Sequence, residues 1–276
     1  MKQRPEQQQR TRVRKKPLKV GSFMSSPVIS ARPETSLLDA VDEMIKYGIG
    51  TIVIVDGERV VGVITEREIL HHLVVDKTIP NKQVKYLLTQ KFAKVTPETS
   101  ILDAARIMIS KKARLLVFQK DKRTGVDQLV GIITASDLVR AFLKADSRKN
   151  PSIERAMTNK IFTLSPESTI LAAVKMMVKK RIGSVVVTTN GPPYAIFTER
   201  DLLNRVLARK HTDTEERVGD YCTYPIVTAK VGITAKRAAK IMLSRKIKRL
   251  PLTTKDKRIV AMLTARDLVE AFQRGR

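Results

Sequence analysis

The chain has 276 residues, 42% of them hydrophobic, enough to bury real cores, and neither a run of about eighteen apolar residues that would span a membrane nor an apolar stretch near its start that would act as a signal peptide. Its 53 Lys and Arg against 27 Asp and Glu give a formal charge of +26, which favours a polyanionic partner. One cysteine, Cys222, and three scattered histidines leave no internal disulfide and no zinc-ligand spacing, so a cytoplasmic protein without a metal site is expected.

Residues 1–20 carry eight basic side chains, one acidic side chain and almost nothing apolar, which predicts an arm that does not fold alone; its candidate polyanion contacts are Arg10, Arg12, Arg14, Lys15, Lys16 and Lys19. From Pro33 the pattern changes. Leu37, Leu38, Val41, Met44 and Ile45 recur at helical spacing while Asp42 and Lys46 point away, and Ser36 stands three residues before Asp39 as a hydroxyl cap. IGTIVIV from Ile49 has the β-branched character of a buried strand, and VVGVITEREIL from Val60 reads as a second strand entering a second helix. The same order returns from Pro97 with PETSILDAARIMI, ARLLVFQ and LVGIITASDLV, and Ser100 with Asp103 repeats the cap. It returns from Pro166 with PESTILAAVKMMV, IGSVVVTT and YAIFTERDLL, and from Val231 with VGITAKRAAKIML, IKRLPLTT and IVAMLTARDLV. Thr65, Thr134, Thr198 and Thr264, at the strand-to-helix junctions, are 69, 64 and 66 residues apart, so one βαββα unit of α/β class is written four times. Gly57, Gly125 and Gly191 fall in the turns between strands. Two helices and three strands cannot cover both faces of such a sheet, so the units are expected to pair.

The hydroxyl-capped helix, the strand ending in GSVVV or RLPL and the following GIITxxDL resemble the CBS domain, and two in tandem resemble the Bateman module, over nearly all of residues 21–273. The resemblance implies one pair over 21–146, with repeats at 21–76 and 82–145, and a second over 147–276, with repeats at 152–209 and 216–273. The polar segment SRKNP, Ser147 to Pro151, has the composition of a linker between them. The resemblance also implies AMP, ADP or ATP as a ligand, with no cofactor required, held at Thr198 with Asp201, Thr264 with Asp267 and Thr134 with Asp137. A threonine hydroxyl beside free N–H groups at a helix start can hold phosphate, and a carboxylate one turn later can accept ribose hydroxyls. Arg200 and Arg266 would add phosphate contacts, and the base would lie against Ile161, Ile182, Ile226 and Leu250, with Gly183 permitting close backbone approach. The same TxxD is also simply a helix-capping box, and both readings stay open. Glu68 replaces the aspartate in repeat 1, and Ala135 with Ser136 removes the arginine from repeat 2, so the second module is the favoured binder.

The second half, residues 145–276, carries 27 basic and 12 acidic side chains. Lys236 and Lys240 lie one helical turn apart and, with Arg237, can follow a phosphate backbone, joined by Arg245, Lys246, Lys248 and Arg249; the last two can alternatively serve a nucleotide phosphate. Aromatic content of 4% without tryptophan argues against stacking on single strands, and no helix-turn-helix or zinc finger is present, which leaves structured RNA as the polyanion. A basic four-repeat chain is similar to archaeal CBS-tetrad ribosome hibernation factors, implying ribosomal RNA or ribosomal subunits as partner and leaving a homodimer open. The rivals are an adenine-nucleotide sensor acting on a protein partner and a DNA-binding regulator. His71 and His72 have no nucleophile or metal partner in sequence and no P-loop occurs, so no catalytic residue is expected and the chain reads as a non-enzyme.

Overall fold

In a computed structural model of the chain, the described residues are 17–76, 82–145, 150–189, 194–209 and 214–275. Arg10, Arg12, Arg14, Lys15, Lys16, Gly191 and His211 lie outside them, as does most of the SRKNP segment.

Each first helix begins where a hydroxyl captures a free N–H. Ser36 Oγ accepts from Asp39 N–H at the start of α1 (Leu37–Lys46), Ser100 from Asp103 at α3 (Ile101–Lys111), Thr169 from Ala172 at α5 (Ile170–Lys180) and Thr234 from Arg237 at α7 (Ala235–Ser244). Such caps contribute roughly 1 kcal/mol each. A strand follows each helix: β2 (Thr51–Asp56), β5 (Arg114–Lys120), β8 (Ser184–Val187) and β11 (Arg249–Thr253). It pairs in parallel with a short preceding strand, β1 (Ser30–Ala31), β4 (Phe92–Val95), β7 (Thr163–Leu164) or β10 (Ala229–Lys230). It pairs antiparallel with the next one, β3 (Arg59–Thr65), β6 (Asp127–Ile133), β9 (Ala195–Thr198) or β12 (Ile259–Thr264). Gly57 and Gly125 take positive φ in the turns joining these strands. The second helices, α2 (Glu66–Asp76), α4 (Ala135–Lys144), α6 (Glu199–Asp201, continuing as a π turn Leu202–Val206) and α8 (Ala265–Arg274), complete four βαββα units, as the repeat requires. No helix among the described residues is long and apolar enough to cross a membrane.

The units form a ring. Small apolar patches join the sheets of repeats 1 and 2 (Val53, Val63, Leu116, Phe118) and of repeats 3 and 4 (Val186, Ile196, Met262). The two large cores run the other way: the helical faces of repeats 1 and 3 share one and those of repeats 2 and 4 the other. Phe142 of α4 stacks on Phe272 of α8 with centroids 5.4 Å apart and planes 27° from parallel. Leu38, expected on the buried stripe of α1, faces solvent, and Ala40 takes the core position instead.

Within each pair the segment leading into one repeat docks on the other. Val20 N–H donates to the Thr99 carbonyl, and Lys19 forms an ion pair with Glu98 and a bridge to Ser100, all in repeat 2. Lys19 therefore belongs to the folded part rather than to a free basic arm, and Val20 is fully buried in the repeat 2 and 4 core. Thr158, leading into repeat 3, pairs with Met262 of repeat 4, and Glu216 and Arg217, leading into repeat 4, pair with Ile170 and Thr169 of repeat 3.

Candidate functional site

The strand-to-helix junctions place the TxxD residues as helix caps first. Thr198, Thr134 and Thr264 each accept from the N–H of the aspartate three residues on, and that aspartate accepts from the threonine N–H in return. Asp201 is saturated. Its Oδ2 accepts from Thr198 N–H at 2.9 Å and Thr198 Oγ1 at 2.6 Å, and its Oδ1 accepts from Thr223 Oγ1 at 2.6 Å and lies 3.2 Å from Arg205 Nε. A ribose would have to displace Thr223, so the capping role is the one this geometry gives Asp201. Asp137 is committed in the same way to Thr134 and, at 3.1 Å, to Arg140. Glu68 reaches back to Thr65 N–H and Oγ1 despite its extra methylene. Asp267 is looser: its Oδ2 accepts from Thr264 N–H at 2.7 Å, and burial, opposed by those bonds, raises its carboxyl above the ordinary range.

The other residues assigned to a nucleotide meet one another. Arg249, at the start of β11, reaches across to Glu199, at the start of α6, with Nη2 to Oε2 at 2.6 Å; the two side chains are 18% and 9% exposed. Burial alone would push the Glu199 carboxyl up, but Arg249, then Arg67 and Arg114, outweigh it and hold it below the usual carboxylate range. This pair fills the space beside Gly183. A Cβ there would collide with Arg249 Nη2 and lie 2.5 Å from Glu199 Oε2, so the glycine admits an ion pair rather than an adenine. Gly50 does the same for Glu66, whose Cδ would be 2.7 Å from an added Cβ. Arg200 donates to the Gly48 carbonyl at 3.0 Å and its Nε lies 3.8 Å from Glu66 Oε1, whereas Arg266 donates to the Met108 carbonyl. Both arginines thus tie repeats together, a role the motif did not announce. Lys248 Nζ stands 3.8 Å from Glu66 Oε2, so it and Arg249 turn into the four-repeat junction instead of toward an outer RNA-facing surface. Leu250 is wholly buried in the repeat 2 and 4 core and cannot flank a base.

Repeat alignment carries a signal for this junction that motif reading passes over. Where the odd repeats have Gly50 and Gly183, then Thr51 and Ser184, and Glu66 and Glu199 after the threonine, the even repeats have Ala113 and Lys248, then Arg114 and Arg249, and Ala135 and Ala265. Each odd repeat supplies a carboxylate and a gap, and each even repeat supplies a guanidinium and a small residue.

Ile161 and Ile182 do come together. They line a cleft of about 690 Å³ with Thr158, Phe162, Lys160, Lys179 and Lys180, and Lys180 Nζ lies 5.4 Å from the Phe162 ring centre. Ile226 and Ile161 both pack on the patch that joins the sheets of repeats 3 and 4. The family model for the CBS domain matches the βαββα unit at residues 20–75, 84–144, 153–208 and 218–274. The chain belongs to the CBS-domain family. As a CBS tetrad it is 29% identical over 184 residues to the uncharacterized 33.4 kDa protein in ribosomal RNA operon of Thermofilum pendens, covering 62% of this chain and 59% of that one. It is 26% identical over 267 residues to the protein MJ1404 of Methanocaldococcus jannaschii, covering 91% and 61%. The chain therefore spans about three fifths of the length of these two relatives. The crystal structure of MJ1225 from the same organism, a proposed archaeal homologue of γ-AMPK, superposes with a TM-score of 0.77 at 20% identity over 92% of this chain and 99% of that one, which shows a shared four-repeat fold.

Proposed function

We propose that this CBS tetrad is a non-enzymatic regulatory protein that binds adenine nucleotide in its second module. The observation that carries the reading is one cleft that pairs an apolar floor, Ile161, Phe162 and Ile182, with the amines of Lys160, Lys179 and Lys180. A purine needs the first and a phosphate the second, and about 690 Å³ lies within the range of small-ligand sites. Lys179 and Lys180 are exposed and have no acid within ion-pair distance among the described residues, so their charge is available to a ligand. Replacing both, Lys179→Gln with Lys180→Gln, is expected to weaken AMP binding by about tenfold or more in calorimetric titration, since a charge-assisted contact contributes roughly 1.5–3 kcal/mol. Unchanged affinity in a variant that unfolds at the parent's temperature counts against this cleft.

A second reading, docking on ribosomal RNA or a ribosomal subunit, is favoured by the outer end of repeat 4. Arg237, Lys240, Arg245 and Lys246 are exposed there, without an ion-pair partner among the described residues, on a chain of net charge +26. That a Thermofilum pendens relative lies in a ribosomal RNA operon accords with it. In this reading the chain co-sediments with ribosomal subunits at low salt and is released as salt rises, because each phosphate contact returns counterions. Absence from every ribosomal fraction at low salt rejects it.

A further inference from the structure

Two outward positions of each first helix, three and six residues after its capping hydroxyl, carry different charges in the four repeats. In α1 they are Asp39 and Asp42, and in α7 they are Arg237 and Lys240. In α3 they are Asp103 and Arg106, which neutralise each other at 2.9 Å, and in α5 they are Ala172 and Lys175. The α1 and α7 pairs are exposed and make no ion pair among the described residues, whereas Glu43 of α1 is taken by Lys46 at 3.4 Å. The whole repeats divide the same way: residues 21–76 carry nine acidic and four basic side chains, and residues 216–273 carry five and thirteen. Repeat 1 is thus an acidic unit in a chain of net charge +26. It also sits diagonally across the ring from repeat 4, since repeat 1 shares its sheet patch with repeat 2 and its helical core with repeat 3, while repeat 4 does the reverse.

We propose that two copies of this chain dock about a two-fold axis, the acidic α1 of each copy against the basic α7 of the other. A second copy is the occupant that the charges select, because one helix face of this molecule complements another helix face of the same molecule at equivalent positions. A two-fold axis satisfies both contacts at once and closes the assembly, so no acidic or basic face is left over to recruit a third copy. Two chains of charge +26 repel at long range, and α1 against α7 is the approach in which that repulsion is locally reversed. Leu38 and Tyr47, 36% and 48% exposed, lie at the two ends of α1 and add apolar surface to the contact. The contact does not use the Lys160, Lys179 and Lys180 cleft, and it stands whether or not a nucleotide occupies that cleft.

The test is sedimentation equilibrium of the full chain, freed of nucleic acid, at micromolar concentration and fixed ionic strength. A dimer that does not grow further is expected. Asp42→Lys and Lys240→Asp, both at exposed helix positions, are each expected to melt at the parent's temperature and to weaken the dimer by about tenfold or more, because each sets like charges together at both contacts. When the two variants are mixed they are expected to pair with each other at close to the parent's affinity, since each then meets the charge it lacks. A parent that stays monomeric, a series of larger species, a dimer that either variant leaves at full strength, or a mixture that does not recover overturns the proposal. Dissociation on removal of residues 1–16, with Lys240→Asp harmless, assigns α1 to the basic arm instead. Loss of ribosome co-sedimentation in Lys240→Asp from a monomeric parent assigns α7 to RNA, and either of these results also overturns the proposal.

Discussion

Arg249→Met is expected to destabilise the fold by about 3–5 kcal/mol, read as a lower urea midpoint, because it leaves Glu199 charged and buried without its closest partner. The ion pair is costly to form, so its removal from one side hurts more than its removal from both. The companion Glu199→Leu in the same chain is therefore expected to recover most of the loss. The pH dependence follows from the direction of the Glu199 shift. In the parent its carboxyl titrates below the ordinary value, so its contribution is fully present above the unfolded glutamate value near pH ~4.3 and is lost as pH falls through the folded value. In Arg249→Met the burial is less opposed and the carboxyl rises, so the deficit is largest near neutrality and narrows on acidification. A variant with the parent's midpoint at pH 7 would show that Arg67 and Arg114 alone neutralise Glu199.

Phe142→Ala is expected to cost about 3–5 kcal/mol, as a large buried side chain leaves a cavity where α4 meets α8. The position is informative because the stack crosses from the first module to the second. If the modules were independent cores, Phe142→Ala would melt one and leave the other with its own transition. A shared core predicts instead that one transition moves as a unit, and that Phe142→Ala and Phe272→Ala couple non-additively, by about 0.5 kcal/mol or more. Two separated transitions in the variant, monitored by calorimetry, would contradict the shared core.

The repeat unit was readable because its signals are local. Ser36 and Ser100 three residues before their aspartates, and the Thr134, Thr198 and Thr264 capping boxes, fix helix starts through bonds within one turn. Three strands with two helices predict pairing, but not which units share helices. Amphipathic stripes on α4 and α8 say that each must be covered, and only the ring geometry says that they cover each other. The site was read less well for the same reason. TxxD has two chemistries, and the donor that completes the capping set at Asp201 is Thr223, a residue 22 positions away with no motif of its own. Gly183 permits a close approach, and what approaches in this structure is Arg249 from the next repeat. Ile161 and Ile182 are both at the Lys160, Lys179 and Lys180 cleft, whereas Leu250 looks the same in sequence and is core. Lys248 and Arg249 sit in a basic run and face inward, because charge counting along a strand start carries no information about which side of the sheet is shared with another repeat.

Apolar contact and lysine charge in one cleft are what the proposed binding of adenine nucleotide rests on. Calorimetric titration of the full chain with AMP, ADP and ATP measures it directly. Saturable heat is expected for at least one of the three, abolished or weakened by Lys179→Gln with Lys180→Gln. No heat for any of them at millimolar concentration, from a chain whose melting transition is intact, would contradict it.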